Sequence, residues 1–135
     1  MIVLDSSATL AWSLDDEQAY GPRLLAAVTT VETAVVPLHW ILEVANGLRM
    51  AVRRRRLAPD GPAQVLAHIR EQPIIVDPET VARGWLEIPA LAETHGLTTY
   101  DAAYLELALR LSAPLATLDQ DLARAARAAR VPLFS

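Results

Sequence analysis

Four acidic side chains occupy positions from which they can act on one substrate, namely Asp5, Glu43, Asp101 and Asp119. Asp5 and Asp119 each follow an apolar run that is typical of a buried strand. Asp101 lies in the first turn of one predicted helix, and Glu43 lies one turn into another. Ligands of open parallel sheets bind at the carboxyl ends of the strands, near a point where the strand order reverses. We therefore expect all four carboxylates to reach the same edge of the sheet.

A cluster of carboxylates favours the hydrolysis of a phosphodiester with the help of a divalent cation. Carboxylates brought together repel one another, and a hard cation such as Mg²⁺, which prefers oxygen ligands, relieves that repulsion. A bound ion also lowers the pKa of water and neutralises charge on phosphoryl oxygens. The chain contains no cysteine, and all 12 of its basic residues are arginine. These absences exclude a thiolate nucleophile, a cysteine-ligated zinc and a catalytic lysine.

Each acid also has a purely structural interpretation, and the sequence leaves these alternatives open. Asp5 and Asp119 can cap helices, because aspartate is a preferred N-cap residue. Asp101 can complement the positive end of a helix dipole. Glu43 lies in an apolar helix, where a carboxylate either faces solvent or needs a partner. Asp77 also follows an apolar run, so position alone does not single out the four acids.

The length and composition of the chain limit the classes of protein to which it can belong. Its 135 residues fit a single domain, 1–135, which can bury a hydrophobic core without disulfides or zinc. The N-terminus lacks the regions of a signal peptide, and no stretch reaches the ~18 apolar residues of a membrane span. We therefore expect a cytoplasmic protein that does not associate with a membrane. The net charge of −4 is not the basic footprint of a nucleic-acid-binding protein, and it counts against a nucleic-acid substrate.

Apolar runs alternate with segments of helical periodicity along the whole chain. The predicted strands are residues 2–5, 34–36, 74–76 and 114–118, with a last short one at 133–134. The predicted helices are residues 8–14, 16–30, 38–55, 63–71, 79–95, 98–111 and 120–130. Continuous apolar strands that alternate with helices indicate a three-layer α/β/α domain around a central, mainly parallel sheet of about four to five short strands.

Proline and glycine positions refine the predicted helix ends. Pro22 predicts that the second helix begins at that residue or just after it. Gly84 and Pro89 are the candidate interruptions of the fifth helix. Gly96 is expected to end that helix as its first residue beyond the cap.

Four segments, in this order along the chain, resemble the PIN-domain nucleases, and especially the VapC toxins of bacterial toxin–antitoxin pairs. The segments are Ile-Val-Leu-Asp-Ser-Ser at 2–7, the stretch 37–48 that contains Glu43, Leu-Thr-Thr-Tyr-Asp-Ala-Ala-Tyr-Leu at 97–105, and Leu-Ala-Thr-Leu-Asp-Gln-Asp-Leu at 115–122. The Tyr-Asp-Ala-X-Tyr-Leu and Thr-Leu-Asp-X-Asp-Leu patterns are fairly specific when they occur together. The likeness extends over nearly the whole chain and implies a PIN-like fold.

The resemblance also implies a site, an activity and partners. The implied metal-binding and catalytic residues are Asp5, Glu43, Asp101 and Asp119. The implied supporting residues are Ser7, Asn46 and Thr117, and the candidate fifth ligand is Asp121. The implied cofactor is Mg²⁺, with Mn²⁺ as a substitute, and the implied reaction is RNA hydrolysis that leaves a 5′-phosphate and a 3′-hydroxyl. Members of the family commonly form homodimers, and a cognate VapB-type antitoxin blocks the site.

Two further surface features have more than one interpretation. The arginine run consists of Arg53, Arg54, Arg55 and Arg56. It can contact RNA phosphates, form a solvated helix end whose cations complement the dipole, or dock an antitoxin. The segments 8–31 and 40–52 can form an apolar groove for an antitoxin helix.

Other functions remain as alternatives. Phosphatases and receiver domains also place acids at strand ends, but Ser7 stands where such phosphatases need a second aspartate, and receiver domains need a lysine. A PIN fold can be a catalytically silent module that binds nucleic acid or protein. The chemistry of a metal site does not depend on the 2′-hydroxyl, so a DNA-directed nuclease also remains open. The three histidines show no zinc-site or dyad spacing, and we expect them to have surface or core roles: His39, His68 and His95.

Overall fold

The computed structural model describes residues 1–14, 20–30 and 32–135. Its centre is a sheet of four strands, namely β1 (Ile2–Leu4), β2 (Ala34–Val36), β3 (Ile74–Val76) and β4 (Leu115–Ala116). The strands are ordered β3-β2-β1-β4, and every neighbouring pair is parallel. The expected α/β fold with a central parallel sheet is thereby confirmed. The predicted last strand at 133–134 is reduced to a single parallel bridge between Leu133 and Leu115.

The strand order reverses at β1. From β1 the chain adds β2 and then β3 on one side, whereas β4 pairs with the other side of β1. In open parallel sheets the carboxyl edge at such a reversal forms the crevice in which ligands bind. Here that place lies between β1 and β4. Asp5 follows β1 directly, and Asp119 lies three residues after β4.

Eight helices join the strands in the part of the chain that the structure describes. They are α1 (Ser6–Leu14), α2 (Tyr20–Thr30), α3 (Trp40–Arg53), α4 (Gly61–Arg70), α5 (Thr80–Arg83), α6 (Glu87–His95), α7 (Thr99–Leu111) and α8 (Gln120–Ala128). Helix α1 packs against α2 and α3, and α3 packs against α4. Helix α7 packs against β1, β4, α6 and α8. None of the helices in the described ranges is long and apolar enough to cross a bilayer.

The core consists of β1, β2 and β4 and the helices that cover them. Every residue of β1, β2 and β4 is buried, as their continuous apolar runs predict. Helix α7 is buried without a break from Ala102 to Ala108, so its position against β1 is firmly fixed. That packing matters for function, because the first turn of α7 carries Asp101.

The start of helix α2 differs from the sequence-based expectation, whereas the interruption of the helix predicted at 79–95 agrees with it. Within the described residues α2 is already helical at Tyr20, two residues before the predicted start at Pro22. Residues 16–19 of the predicted helix lie outside the described residues. The predicted helix 79–95 is interrupted near Gly84, the cap of α5, while Pro89 lies in the first turn of α6 and causes no break.

Strand β4 is shorter than the predicted segment 114–118, and hydrogen bonding explains the difference. The backbone N–H of Leu118 donates to Oγ of Ser7 at 2.9 Å, and that of Asp119 donates to Oγ1 of Thr117 at 3.0 Å. Side-chain hydroxyls therefore satisfy these two backbone groups, and the chain leaves the sheet after Ala116.

Candidate active site

Asp5 lies in the crevice between β1 and β4, and its exposed fraction is only 4%. Its carboxylate accepts hydrogen bonds from Oγ of Ser7 at 2.7 and 2.9 Å, from N of Ala8 at 2.8 Å and from the hydroxyl of Thr117. Its backbone N donates to O of Ala116 at 3.1 Å, which continues the β1–β4 pairing by one residue. Asp5 therefore caps α1 and also presents a carboxylate at the crevice. A role as helix cap is thus compatible with a role as metal ligand.

The carboxyl of Asp5 is buried, and no cationic side chain in the described ranges pairs with it. Burial, with a smaller contribution from the negative charge of Asp101, raises the pKa of its carboxyl to about 6. The hydrogen bonds from Thr117, Ala8 and Ser7 offset part of this rise. All of these donors are neutral, and no arginine or histidine in the described ranges forms an ion pair with Asp5. The carboxylate therefore keeps its charge available for a cation.

Asp119 lies close by, because a chain of hydroxyl contacts fixes the loop that leaves β4. Ser7 and Thr117 hold the backbone of this loop, as described above, and both hydroxyls also donate to Asp5. Oδ1 of Asp119 accepts from N of Leu122 at 2.8 Å and so caps α8. The loops that follow β1 and β4 are thereby held together by side chains.

Asp101 links the remaining acids. It lies in the first turn of α7, where its backbone N donates to Oγ1 of Thr98 at 3.1 Å. Burial, followed by the negative charges of Asp119 and Glu43 and a smaller effect from Asp121, raises the pKa of its carboxyl to about 6. Since Asp101 in turn raises the pKa of the carboxyl that follows β1, the four predicted acids form one electrostatically connected group.

Glu43 joins this group from the first turn of α3. Its Oε1 accepts a hydrogen bond from the hydroxyl of Tyr104 at 2.5 Å and lies 3.4 Å from Nε2 of His39. Burial, followed by the hydrogen bond and charge of Glu43, raises the pKa of the Tyr104 phenol well above its ordinary value, so the phenol stays protonated. A carboxylate in an apolar helix needs a hydrogen-bond partner, and for Glu43 that partner is the phenol of Tyr104.

Tyr104 was not among the residues predicted for the site, and His39 was predicted to have a surface or core role. Each stands one helical turn from a predicted acid, Tyr104 three residues after Asp101 and His39 four residues before Glu43. Residues three and four apart share a helix face, so this spacing was the available signal.

Asp77 also ends a strand, but its chemistry separates it from the other acids. Arg110 binds it through Nη2–Oδ2 at 2.7 Å and Nη1–Oδ1 at 3.2 Å. Burial alone raises the pKa of the Asp77 carboxyl, but the hydrogen bond and charge of Arg110 outweigh burial and hold the pKa below its ordinary value. Its charge is therefore already neutralised by an arginine.

Two other predicted site residues, Asn46 and Asp121, lie at the edge of the acidic group. Asn46 is exposed on α3, one turn after Glu43. Asp121 is exposed, and its carboxylate lies 3.4 Å from Nη2 of Arg124. Its effect on the pKa of Asp101 places it near the group, but as the most weakly coupled acid.

The arginine run ends α3, and all four of its side chains are exposed. Arg54 and Arg56 line one end of a groove of about 410 Å³ between α1 and α3, and Ser7 and Leu118 line its other end. The remaining lining residues are Leu10, Ala11, Leu14, Gly47, Met50 and Ala51. An apolar groove therefore leads from the arginine run to the edge of the acidic site.

The donors of this group suit a divalent cation in kind but do not surround a single point. Among the residues that the structure describes, no three histidine, aspartate or glutamate side chains lie close enough together to hold an ion as they stand. The chemistry of the group nevertheless fits a hard cation, because its donors are carboxylate oxygens. The negative charges of Asp119 and Glu43 raise the pKa of Asp101, that of Asp101 raises the pKa of Asp5, and within the described ranges none of the four acids forms an ion pair with an arginine.

Comparison with known proteins identifies the family. The model of the PIN domain matches residues 2–128, and the chain therefore belongs to the PIN-domain family. It is 32% identical over 123 residues to Ribonuclease VapC3 of Pyrobaculum aerophilum, which covers 90% of this chain and 92% of the relative. It is 37% identical over 121 residues to Ribonuclease VapC9 of Mycobacterium tuberculosis, covering 88% and 86% of the two chains.

A solved structure shows the same fold. The crystal structure of Mycobacterium tuberculosis VapC20, described as a toxin that cleaves the sarcin–ricin loop, superposes with a TM-score of 0.65 at 17% sequence identity. The match covers 93% of this chain and 95% of that chain. The resemblance to PIN-domain VapC proteins that the motifs indicate is confirmed.

Proposed function

We propose that this chain is a Mg²⁺-dependent endoribonuclease that acts as the toxin of a toxin–antitoxin pair. Its relatives VapC3 and VapC9 are named ribonucleases. The observation that carries the proposal is the electrostatic connection of Asp101 with Glu43, Asp119 and Asp5 at the crevice of the sheet. The proposed products carry a 5′-phosphate and a 3′-hydroxyl.

The four acids Asp5, Glu43, Asp101 and Asp119 would hold the cation, and Asp121 is the candidate fifth ligand. When bound, such an ion lowers the pKa of water and neutralises charge on the phosphoryl oxygens. The chain's own residues orient the ligands: the hydroxyls of Ser7 and Thr117 fix the carboxylate of Asp5 without neutralising it. Backbone N–H groups hold Asp5 and Asp119 at the starts of α1 and α8.

The test is cleavage of total RNA by purified protein, with Mg²⁺, with Mn²⁺ and with EDTA, followed by mapping of the new ends. We expect Asp5→Asn and Asp101→Asn to abolish cleavage and to leave the fold intact by circular dichroism. Glu93→Gln is the matched control, because Glu93 is an exposed acid on α6 outside the site. The control should cut at the wild-type rate.

Three results would count against the proposal, each in a different way. Wild-type cleavage by either aspartate variant would show that the residue was assigned wrongly. Binding of RNA without cleavage in either metal would indicate a catalytically silent module. Preferential cleavage of a matched DNA would indicate a DNA-directed nuclease.

A second measurement does not depend on catalysis. A ligand that binds only the folded state raises stability by mass action, so millimolar Mg²⁺ should raise the melting temperature. The rise should be lost in Asp101→Asn and kept in Glu93→Gln. Unchanged melting of the wild-type protein across the titration would argue against a metal site.

We propose that the groove between α1 and α3 receives an amphipathic helix of a VapB-type antitoxin. The groove has an apolar lining and ends at Ser7 and Leu118, beside the acids, so a helix seated there would obstruct the site. Expression of the chain alone should arrest bacterial growth, and a small upstream partner should relieve the arrest. The Met50→Arg variant, which changes the groove, should still cleave RNA, but the partner should no longer relieve the growth arrest that it causes. Healthy growth under strong expression would oppose the toxin assignment.

We also propose a homodimer that acts on RNA in the cytoplasm. Apolar side chains that are unusually exposed cluster around α5 and the start of α6, where Trp85 is 85% exposed, Leu86 70% and Val81 62%. Such patches mark interaction surfaces. Light scattering should give twice the chain mass, and Trp85→Glu should shift it to the monomer. A wild-type monomer at micromolar concentration would refute the dimer.

A further inference from the structure

We propose that Tyr104 is a positioning residue of the nuclease site, which fixes the carboxylate of Glu43 through a neutral hydrogen bond. This inference rests on the function proposed above. It adds a residue that does not touch the substrate but sets the orientation of one that would bind the metal.

The phenol of Tyr104 is placed for this role by α7. The side chain is only 1% exposed, and its helix is buried from Ala102 to Ala108 against the sheet. Its hydroxyl reaches Oε1 of Glu43 at 2.5 Å across 61 positions of sequence. Because a buried hydroxyl requires a partner and a half-buried carboxylate requires donors, each group satisfies the other.

His39 also approaches Oε1 of Glu43, the oxygen that accepts this bond. Nε2 of His39 lies 3.4 Å from Oε1 and 3.0 Å from O of Tyr100, and the His39 ring packs on that of Tyr104 at a centroid distance of 5.2 Å. No residue in the described ranges donates a hydrogen bond to Oε2. One carboxylate oxygen is thus held, and the other remains available for a ligand.

A tyrosine suits this position better than an arginine because it orients the carboxylate without cancelling its charge. The contrast is present in the same molecule, where Arg110 binds Asp77 with two hydrogen bonds and neutralises it. Groups that hydrogen-bond a metal ligand orient it, and their loss typically weakens metal binding about 10- to 100-fold. Tyr104 has the geometry of such a group.

The test uses Tyr104→Phe, which removes only the hydroxyl, and Tyr100→Phe as the matched control. Tyr100 is an exposed neighbour in the same helix, and its hydroxyl makes no hydrogen bond to the described residues. Mn²⁺ binding is measured on the free protein by electron paramagnetic resonance, without RNA. We expect the Kd for Mn²⁺ to rise about tenfold in Tyr104→Phe and to stay unchanged in Tyr100→Phe. In turnover, kcat should fall while KM for RNA stays the same.

A double-mutant cycle with Glu43→Gln separates positioning from general packing. If Tyr104 acts through Glu43, the Kd of the double variant should equal that of Glu43→Gln alone. Additive losses, or wild-type affinity in Tyr104→Phe, would overturn the inference while the proposed function stands. Absence of Mn²⁺ binding by the wild-type protein would overturn both.

Glu43→Asp keeps the inference testable if Tyr104→Phe does not fold. The shorter side chain keeps the charge but withdraws the carboxylate from the phenol, so its Kd for Mn²⁺ should also rise about tenfold. Wild-type affinity in a folded Glu43→Asp protein would contradict the role of the hydrogen bond.

Discussion

The hydroxyl of Thr117 donates a hydrogen bond to Oδ2 of Asp5, although the two residues are 112 positions apart in sequence. The bond joins the loop after β4 to the residue after β1, at the point where the strand order reverses. The donors to this buried carboxylate are neutral, so it is fixed in place while its negative charge remains. The negative charge of Asp5 that would bind a metal therefore lowers the stability of the metal-free fold.

The stability of the metal-free protein should depend on the ionisation of Asp5. Burial, with the charge of Asp101, raises the pKa of this carboxyl from 3.8 to about 6. Between about pH 4 and pH 6 the folded state thus binds more protons than the unfolded state, and the free energy of unfolding falls as the pH rises. Asp5→Asn removes this titration and should raise the free energy of unfolding by about 2 kcal/mol at neutral pH.

Denaturant titrations in EDTA at an acidic and a neutral pH measure this effect. The gain of Asp5→Asn should be present at the neutral pH and largely absent below the unfolded-state pKa. Glu93→Gln, which alters an exposed acid, should follow the wild-type curve. If the Asp5→Asn variant is no more stable than the wild-type protein at neutral pH, the buried charge of Asp5 does not lower the free energy of unfolding.

Arg110→Met should destabilise the fold without acting on the site. Arg110 and Asp77 are mostly buried, and removal of the guanidinium leaves the Asp77 carboxylate without its cation. Arg110 also binds the buried carboxylate of Glu106, with Nε–Oε1 at 2.8 Å, so Glu106 loses the same cation. We expect a loss of about 3 kcal/mol in the free energy of unfolding, and recovery of part of it when Asp77→Asn is added. Because Arg110 lowers the pKa of Asp77, the loss should be present at neutral pH and fade as the pH falls through that pKa. No recovery in the double variant would argue against the pairing.

Gly21→Ala should push α2 away from α1 and so destabilise the fold. A Cβ at Gly21 would lie 2.5 Å from O of Ala11 and 2.8 Å from Cα of Trp12, and these backbone atoms cannot move aside alone. We expect the free energy of unfolding to fall by about 3 kcal/mol. Gly47→Ala is the comparison, since its Cβ would meet Cδ1 of Leu10 at 2.4 Å, the flexible end of a side chain. Equal losses in denaturant titrations would contradict the difference.

The fold was predictable where one local signal determined the structure. The apolar runs before Asp5 and Asp77 gave β1 and β3 to within a residue, and Gly96 ends α6 with a φ of 66°, as its position indicates. Strand β4 was predicted too long, because hydrophobicity does not reveal that hydroxyls of Ser7 and Thr117 satisfy the backbone beyond it.

The site was predictable only in part, because its selectivity arises from contacts between distant segments. The strand-end rule found Asp5 but could not exclude Asp77, whose partner Arg110 lies 33 positions away. His39 and Tyr104 gain their roles only when α3 and α7 lie side by side. The assignment of the four acids as metal ligands stays a prediction, which the aspartate variants test.

Thr117→Val should shift the pH dependence of metal binding. The hydroxyl of Thr117 lowers the pKa of Asp5, so its replacement by an isosteric methyl group should let that pKa rise above about 6. More of the carboxyl is then protonated at a mildly acidic pH, where Mn²⁺ affinity should fall about tenfold, the equivalent of one pKa unit. At alkaline pH the loss should be much smaller. Thr29→Val is the control, because among the described residues the hydroxyl of Thr29 bonds only to O of Leu25 and Ala26. A loss of affinity independent of pH would show that Thr117 acts through structure and not through the ionisation of Asp5.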